Sequence, residues 1–109
     1  MTNATITRSG TIRSRCTLRE DFASRSTGNQ NGSGRTGYYT TKGHAINAYD
    51  GVLQTYDLCF DRNDLDGFDG DEGRKHIDIV DEYGNCVGCA LLMWFRMDSG
   101  RYEFTGYIT

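Results

Sequence analysis

Residues 75–109 read KHIDIVDEYGNCVGCALLMWFRMDSGRYEFTGYIT and constrain the fold more than any other stretch. Three runs rich in β-branched and aromatic residues are separated by two short turn signals, YGN and SG. That pattern predicts a three-stranded antiparallel meander. Side chains alternate faces along a strand, so the length of each turn decides which residues share a face. A three-residue loop at Tyr83, Gly84 and Asn85 sets Glu82 opposite Cys86. It puts Ile77 and Ile79 on the face of Val87, Cys89, Leu91, Met93 and Phe95. A two-residue loop would move the isoleucines to the face of Gly88, Leu92 and Trp94, which buries less apolar surface.

Ser99-Gly100 suits a two-residue turn. It sets Arg96 opposite Glu103, Phe95 opposite Phe104 and Met97 opposite Tyr102, pairing opposite charges and aromatic rings. The predicted core face is then Ile77, Ile79, Val87, Cys89, Leu91, Met93, Phe95, Met97, Tyr102, Phe104 and Ile108. The opposite face carries Trp94, Arg96, Arg101, Glu103 and Tyr107, residue types that dominate binding hot spots. These five are the candidate binding residues.

A sheet with one apolar face needs a cover. Ala45, Ile46, Tyr49, Val52, Leu53 and Tyr56 recur at helical spacing, and Thr40 or Thr41 can cap the start. The spacing predicts a helix over 43–55 and a short strand at 56–61. A hairpin around Asp50-Gly51 is the competing reading. The predicted class is α+β: an antiparallel meander of three to five strands with one amphipathic helix on one face, the alternative being all-β.

A length of 109 residues predicts one domain. The net charge of −3 hides an asymmetry. Residues 1–42 carry seven basic and two acidic side chains, whereas 43–109 carry five basic and thirteen acidic ones. The expected organisation is a basic, partly mobile N-terminal segment (1–42) and an acidic α+β core (43–109), either meeting each other or meeting different partners. Within the first segment, residues 3–19 read as a short polar hairpin around Ser9-Gly10. Residues 22–42, with their Gly/Ser/Asn/Gln run, read as a mobile loop. No apolar run is long enough to span a membrane or direct secretion, so a cytoplasmic location is expected.

Cys16, Cys59, Cys86 and Cys89 include a single CxxC. On a regular strand Cys86 and Cys89 point to opposite faces, so reduced, mostly packed thiols are expected rather than zinc; a β-bulge would change that geometry. The acidic stretch 61–75 fails the calcium-loop frame. With Gly67 as the turn glycine, Arg62 and Gly73 fall where the first and last ligands belong. The weak metal candidates are Asp61, Asp64, Asp66, Asp69 and Asp71. A Cys86–His76–Asp78 grouping is the nearest thing to a nucleophilic site. No catalytic motif is present, and no cofactor is implied.

The stretch DEYGNCVGCALL, after an amphipathic helix and before another strand, resembles the central hairpin of the GCN5-related acetyltransferases. That family's next strand leads into a Q/R-x-x-G-x-G/A loop that holds acetyl-CoA. These 109 residues contain no such loop, so the resemblance implies topology and no site residue.

Three functions are compatible with the sequence. The first is a non-catalytic interaction protein, of the kind found as an accessory protein of a phage or other mobile element. It would dock a protein partner, or a second copy in a homodimer, through the aromatic and arginine face or the acidic loop. The second is nucleic-acid binding by Arg8, Arg13, Arg15, Arg19, Arg25, Arg35 and Lys42, with Tyr38 and Tyr39 stacking on bases. The third is a ligand-binding or enzyme domain whose arginines grip an anion.

Overall fold

The structure, a computed structural model, describes residues 15–27 and 38–109. Their elements run α1 (Arg15–Ala23), α2 (Lys42–Gln54), β1 (Leu58–Phe60), a short 3-10 turn (Arg62–Asp64), β2 (Glu72–Asp81), β3 (Cys86–Arg96) and β4 (Tyr102–Ile108). The strands form one antiparallel sheet in the order β1-β2-β3-β4. The class is α+β, a meander covered on one face, as the sequence predicts.

Helix α2 is the expected cover. Its N-cap is Thr41, whose hydroxyl accepts the His44 N–H at 3.0 Å. Ala45, Tyr49, Val52 and Leu53 turn one stripe into the core. The chain leaves the helix through Asp57, held at φ 62, and enters β1 directly. Buried Asp50 ties these parts together. Its carboxylate accepts the Phe60 N–H at 2.9 Å, Gln54 at 3.0 Å and the Arg62 guanidinium at 2.9 Å.

The register differs from the expected one at both hairpins. Each loop holds three residues, Glu82–Gly84 and Asp98–Gly100, and each ends on a glycine in the left-handed region, φ 84 and 91. Gly84 N–H donates to Asp81 O at 3.0 Å, and Gly100 N–H to Met97 O at 2.8 Å. The Asp81 side chain fixes the first loop by accepting the Tyr83 and Asn85 N–H groups, both at 2.9 Å. This is a tight turn followed by a glycine at a positive φ that residues with a β-carbon rarely adopt. Val87 is then an extra residue: Val80 pairs with Cys86 and Ile79 with Gly88. This bulge reverses the faces of all of β3 beyond it.

Ile77 and Ile79 therefore share a face with Ala90, Leu92 and Trp94. Trp94, not Phe95, stands opposite Phe104. Trp94 is 5% exposed and Phe95 is 50% exposed, so the assigned core face is inverted along β3. On β4 the expected inward residues, Tyr102, Phe104 and Ile108, do pack on the core. Gly106 lies between them because a β-carbon there would stand 2.6 Å from Leu92 and 2.7 Å from the Tyr49 ring. The bulge also changes the cysteine geometry. Cys86 and Cys89 pair with Val80 and Asp78, two residues apart on β2, so they lie on one face. They are free thiols, as is Cys59.

The segment expected to be polar and partly mobile contributes to the core where it is described. Residues 15–23 are helical, and α1 places Leu18 and Phe22 one turn apart on its buried side. The Phe22 ring lies 4.7 Å from Tyr49 and 6.1 Å from Phe60. Ser26 and Thr27 then close the open edge of β4. The Ser26 hydroxyl accepts the Gly106 N–H at 2.8 Å and lies 3.2 Å from Gly106 O. Thr27 does the same at Phe104, at 3.1 and 3.2 Å. Tyr39 continues the seal, exchanging two backbone hydrogen bonds with Tyr102. Two hydroxyls and one residue of main chain thus replace a fifth strand. The Ser9-Gly10 turn and the glycine-rich run at 28–37 lie outside the described residues.

Candidate docking surface

Corrected register disperses the five candidate binding residues. Trp94 faces the core. Arg96 is exposed at the end of β3, and Arg101 is exposed beside the hairpin loop. Glu103 and Tyr107 lie on the outer face, opposite Phe95 and Leu91. They do not form one surface, because the bulge and the longer second loop each shift side-chain parity.

The acidic segment between β1 and β2 is organised instead. Asp61 N–H donates to Asp78 O at 2.8 Å. The Asp64 carboxylate accepts the Asp78 N–H at 2.9 Å. The segment thereby extends the cover of the β2 edge for one residue past β1. Asp61 also caps the 3-10 turn by accepting the Asn63 N–H at 3.0 Å. Carboxylate oxygens of Asp61, Asp64 and Asp78 lie within 4.8 Å of one another. Of the sequence candidates for a metal, Asp61 and Asp64 come together, joined by Asp78; Asp66, Asp69 and Asp71 stand apart from this group. Asp78 is fourteen residues from Asp64, and only strand pairing brings it there.

Beyond the turn the loop is fastened to the core. Phe68 is buried, with its ring 5.1 Å from Trp94. Lys42, the first residue of α2, donates to Phe68 O at 2.5 Å and Gly70 O at 2.8 Å. The same ammonium lies 5.5 Å from the Tyr102 ring and 6.0 Å from Trp94. Trp94 Nε1 donates to Gly70 O at 3.3 Å, and Arg96 N–H to Asp71 O at 2.6 Å. Buried Trp94 thus holds the loop from beneath. Nothing in the spacing of residues 61–75 points to Lys42, which lies on another element.

Asp66, Asp69 and Asp71 project outward from this fixed backbone, and all three are exposed. Their carboxylates have no ion pair or hydrogen bond among the described residues. Residues 61–72 contain six acids and one arginine, a net charge of −5 over twelve residues. The arginine, Arg62, is turned toward Asp50. The loop is therefore a preorganised, negatively charged surface.

Other candidate chemistry is not assembled. The Cys86 thiol donates to Gly88 O at 3.4 Å and the Cys89 thiol to Ala90 O at 3.6 Å. His76 stands opposite Leu91, on the face of Asp78, and among the described residues neither thiol hydrogen-bonds to an imidazole. A groove of about 180 Å³ runs between α1 and α2, lined by Asp21, Ser24, Arg25, Gly51, Val52 and Thr55. It falls short of the roughly 300 Å³ at which small-molecule pockets begin.

Only part of the basic set proposed for nucleic acid falls on described residues. Arg8, Arg13 and Arg35 lie outside the described residues, as does the Arg15 side chain. Tyr39 is 9% exposed and its hydroxyl donates to Arg25 O at 2.7 Å, so it offers no free ring for stacking. Lys42 is committed to the loop carbonyls. Among the described residues no helix is long and apolar enough to cross a membrane. Comparison with protein-family models, with curated proteins and with solved structures finds no match for this chain.

Proposed function

We propose that this is a small, non-catalytic interaction protein that docks a basic macromolecular partner through the loop at 61–72. The observation that supports this reading is a firmly seated backbone carrying outward carboxylates that have no partner among the described residues. Ordering a charged loop in advance lowers the entropic cost of association. A concentrated negative field also speeds encounter with a basic surface. A patch of this kind mimics phosphate charge and competes for a nucleic-acid site on another protein.

The test uses a partner captured from the host at low salt, identified and then purified. Its affinity for the wild type and for D66N/D69N is measured by calorimetry over a salt series. Both aspartates are exposed and make no structural bond, so the variant folds normally. The double variant is expected to bind at least about tenfold more weakly near 50 mM salt, with the difference shrinking at about 500 mM. Equal affinity at low salt excludes the loop as the docking surface.

A further inference from the structure

The two edges of the sheet are treated differently. The β4 edge is sealed by Ser26, Thr27 and Tyr39. Among the described residues, the β2 edge is covered only at its far end, by β1 and the Asp61–Asp64 turn. Both main-chain groups of Asp78 point away from β3, toward Asp61 N–H and the Asp64 carboxylate. Orientation alternates along an antiparallel strand. The N–H and C=O of Glu72, Arg74 and His76 therefore also point outward. Among the described residues they have no hydrogen-bond partner, and Glu72, Gly73, Arg74 and His76 are all exposed. An open edge of this length is a template for another strand.

The sequence along this edge, Asp71-Glu72-Gly73-Arg74-Lys75, is a charge palindrome. Read antiparallel against itself about Gly73, it sets Glu72 opposite Arg74 and Asp71 opposite Lys75, twice over. We infer that the β2 edge pairs with the β2 edge of a second copy of this chain, on a two-fold axis at Gly73. The main chain agrees with this register. Glu72 and Arg74 both present outward N–H and C=O groups, so each opposed pair exchanges two hydrogen bonds. Gly73 faces β3 with its polar groups and occupies the position where paired strands approach most closely. Its missing β-carbon leaves room for its own Trp94 ring, which would lie 2.6 Å from such an atom. Any register displaced by two residues along the strand sets Arg74 opposite itself or leaves Glu72 without a basic partner. An isologous contact of this kind closes at two copies and does not propagate.

The contact is short, and its ion pairs are solvent-exposed, so the dimer is weak and salt-sensitive. It does not depend on the proposed basic partner, whose test replaces Asp66 and Asp69 only.

Sedimentation velocity is run on the full chain from about 10 µM to about 1 mM at low salt, the range where such association is measurable. The wild type is expected to shift from monomer to dimer. Arg74→Glu and Glu72→Arg alone each set like charges in opposition and are expected to weaken association by at least about tenfold. The double variant E72R/R74E restores opposed charges and is expected to recover it. Arg74→Pro removes an N–H that points to solvent, a position where proline is tolerated in a monomer. It is expected to abolish the dimer while circular dichroism stays native. A wild type that remains monomeric overturns the inference. So does a dimer that survives R74P, or a failure of the double variant to recover association.

Discussion

Replacing Ser26 by alanine removes one hydroxyl that serves three buried groups. Those groups are Gly106 N–H at 2.8 Å, Gly106 O at 3.2 Å and the Tyr49 hydroxyl at 3.1 Å. Ser26 is fully buried, so water has no direct route to replace it. A buried donor left without an acceptor costs about 1–3 kcal/mol, and a carbonyl with a spare lone pair costs less. The Tyr49 hydroxyl loses its partner as well. The sum is about 2–4 kcal/mol, a large share of the stability of a domain this size. Ser24→Ala is the control, because among the described residues its hydroxyl bonds only to Asp21 O on the exposed helix end, at 2.6 Å; about 0.5 kcal/mol or less is expected there. Urea unfolding followed by Trp94 fluorescence measures both variants. A double-mutant cycle of S26A with Y49F isolates the hydroxyl pair, with an expected coupling of about 0.5–1.5 kcal/mol. A loss below about 0.5 kcal/mol for S26A would refute the view that this serine closes the sheet.

Three further outcomes follow from the geometry. Burial pushes the Tyr49 phenol well above its ordinary value, and burial raises Tyr39 too, partly offset by Arg25. The folded state thus keeps these protons after the unfolded state has lost them. Their stabilisation is complete below about pH 10 and is lost as pH rises above it, with a limiting slope of about 1.4 kcal/mol per pH unit for Tyr49. Y49F is expected to show a shallower decline than wild type above pH 10 in urea titrations; parallel curves would contradict this. Gly106→Ala drives a β-carbon into Leu92 and Tyr49 and is expected to cost about 1–3 kcal/mol by thermal unfolding. Deleting Val87 removes the bulge and leaves every pair beyond it intact. The variant is expected to fold with Trp94 still buried, judged by its emission maximum. In a bulge-free register the same deletion would reverse all of β3 and expose it.

Much of the fold was legible. The period of apolar residues found α2, the adjacent hydroxyls of Thr40 and Thr41 marked its start to within one residue, and two turn signals announced the meander. The register was not legible because both faces of β3 are apolar. Leu91, Met93 and Phe95 make as good a core on paper as Ala90, Leu92 and Trp94. What decided between them was one unpaired residue, Val87, and the third position of each loop. In hindsight the glycines carry the clue, since both occupy the left-handed third position of a three-residue loop and neither the second of a two-residue one. Helix α1 is hard to read from the sequence because, among its described side chains, only Leu18 and Phe22 are buried in the core. The acidic loop was recognised, but not its seat. That seat is made by Phe68, Trp94 and Lys42, which are distant in the chain. The aromatic and arginine surface failed with the register on which it rested.

The architecture depends on β3 turning Trp94 inward against Phe104. Phe104 directs its main-chain groups to Thr27, away from β3, so Trp94 and Phe104 form a pair without mutual hydrogen bonds. In such pairs the Cα atoms approach to about 4.5 Å. A cross-strand nuclear Overhauser measurement on the labelled protein reads this directly. A strong Hα–Hα contact between Trp94 and Phe104 is the predicted result; a strong Hα–Hα contact between Phe95 and Phe104 would contradict it.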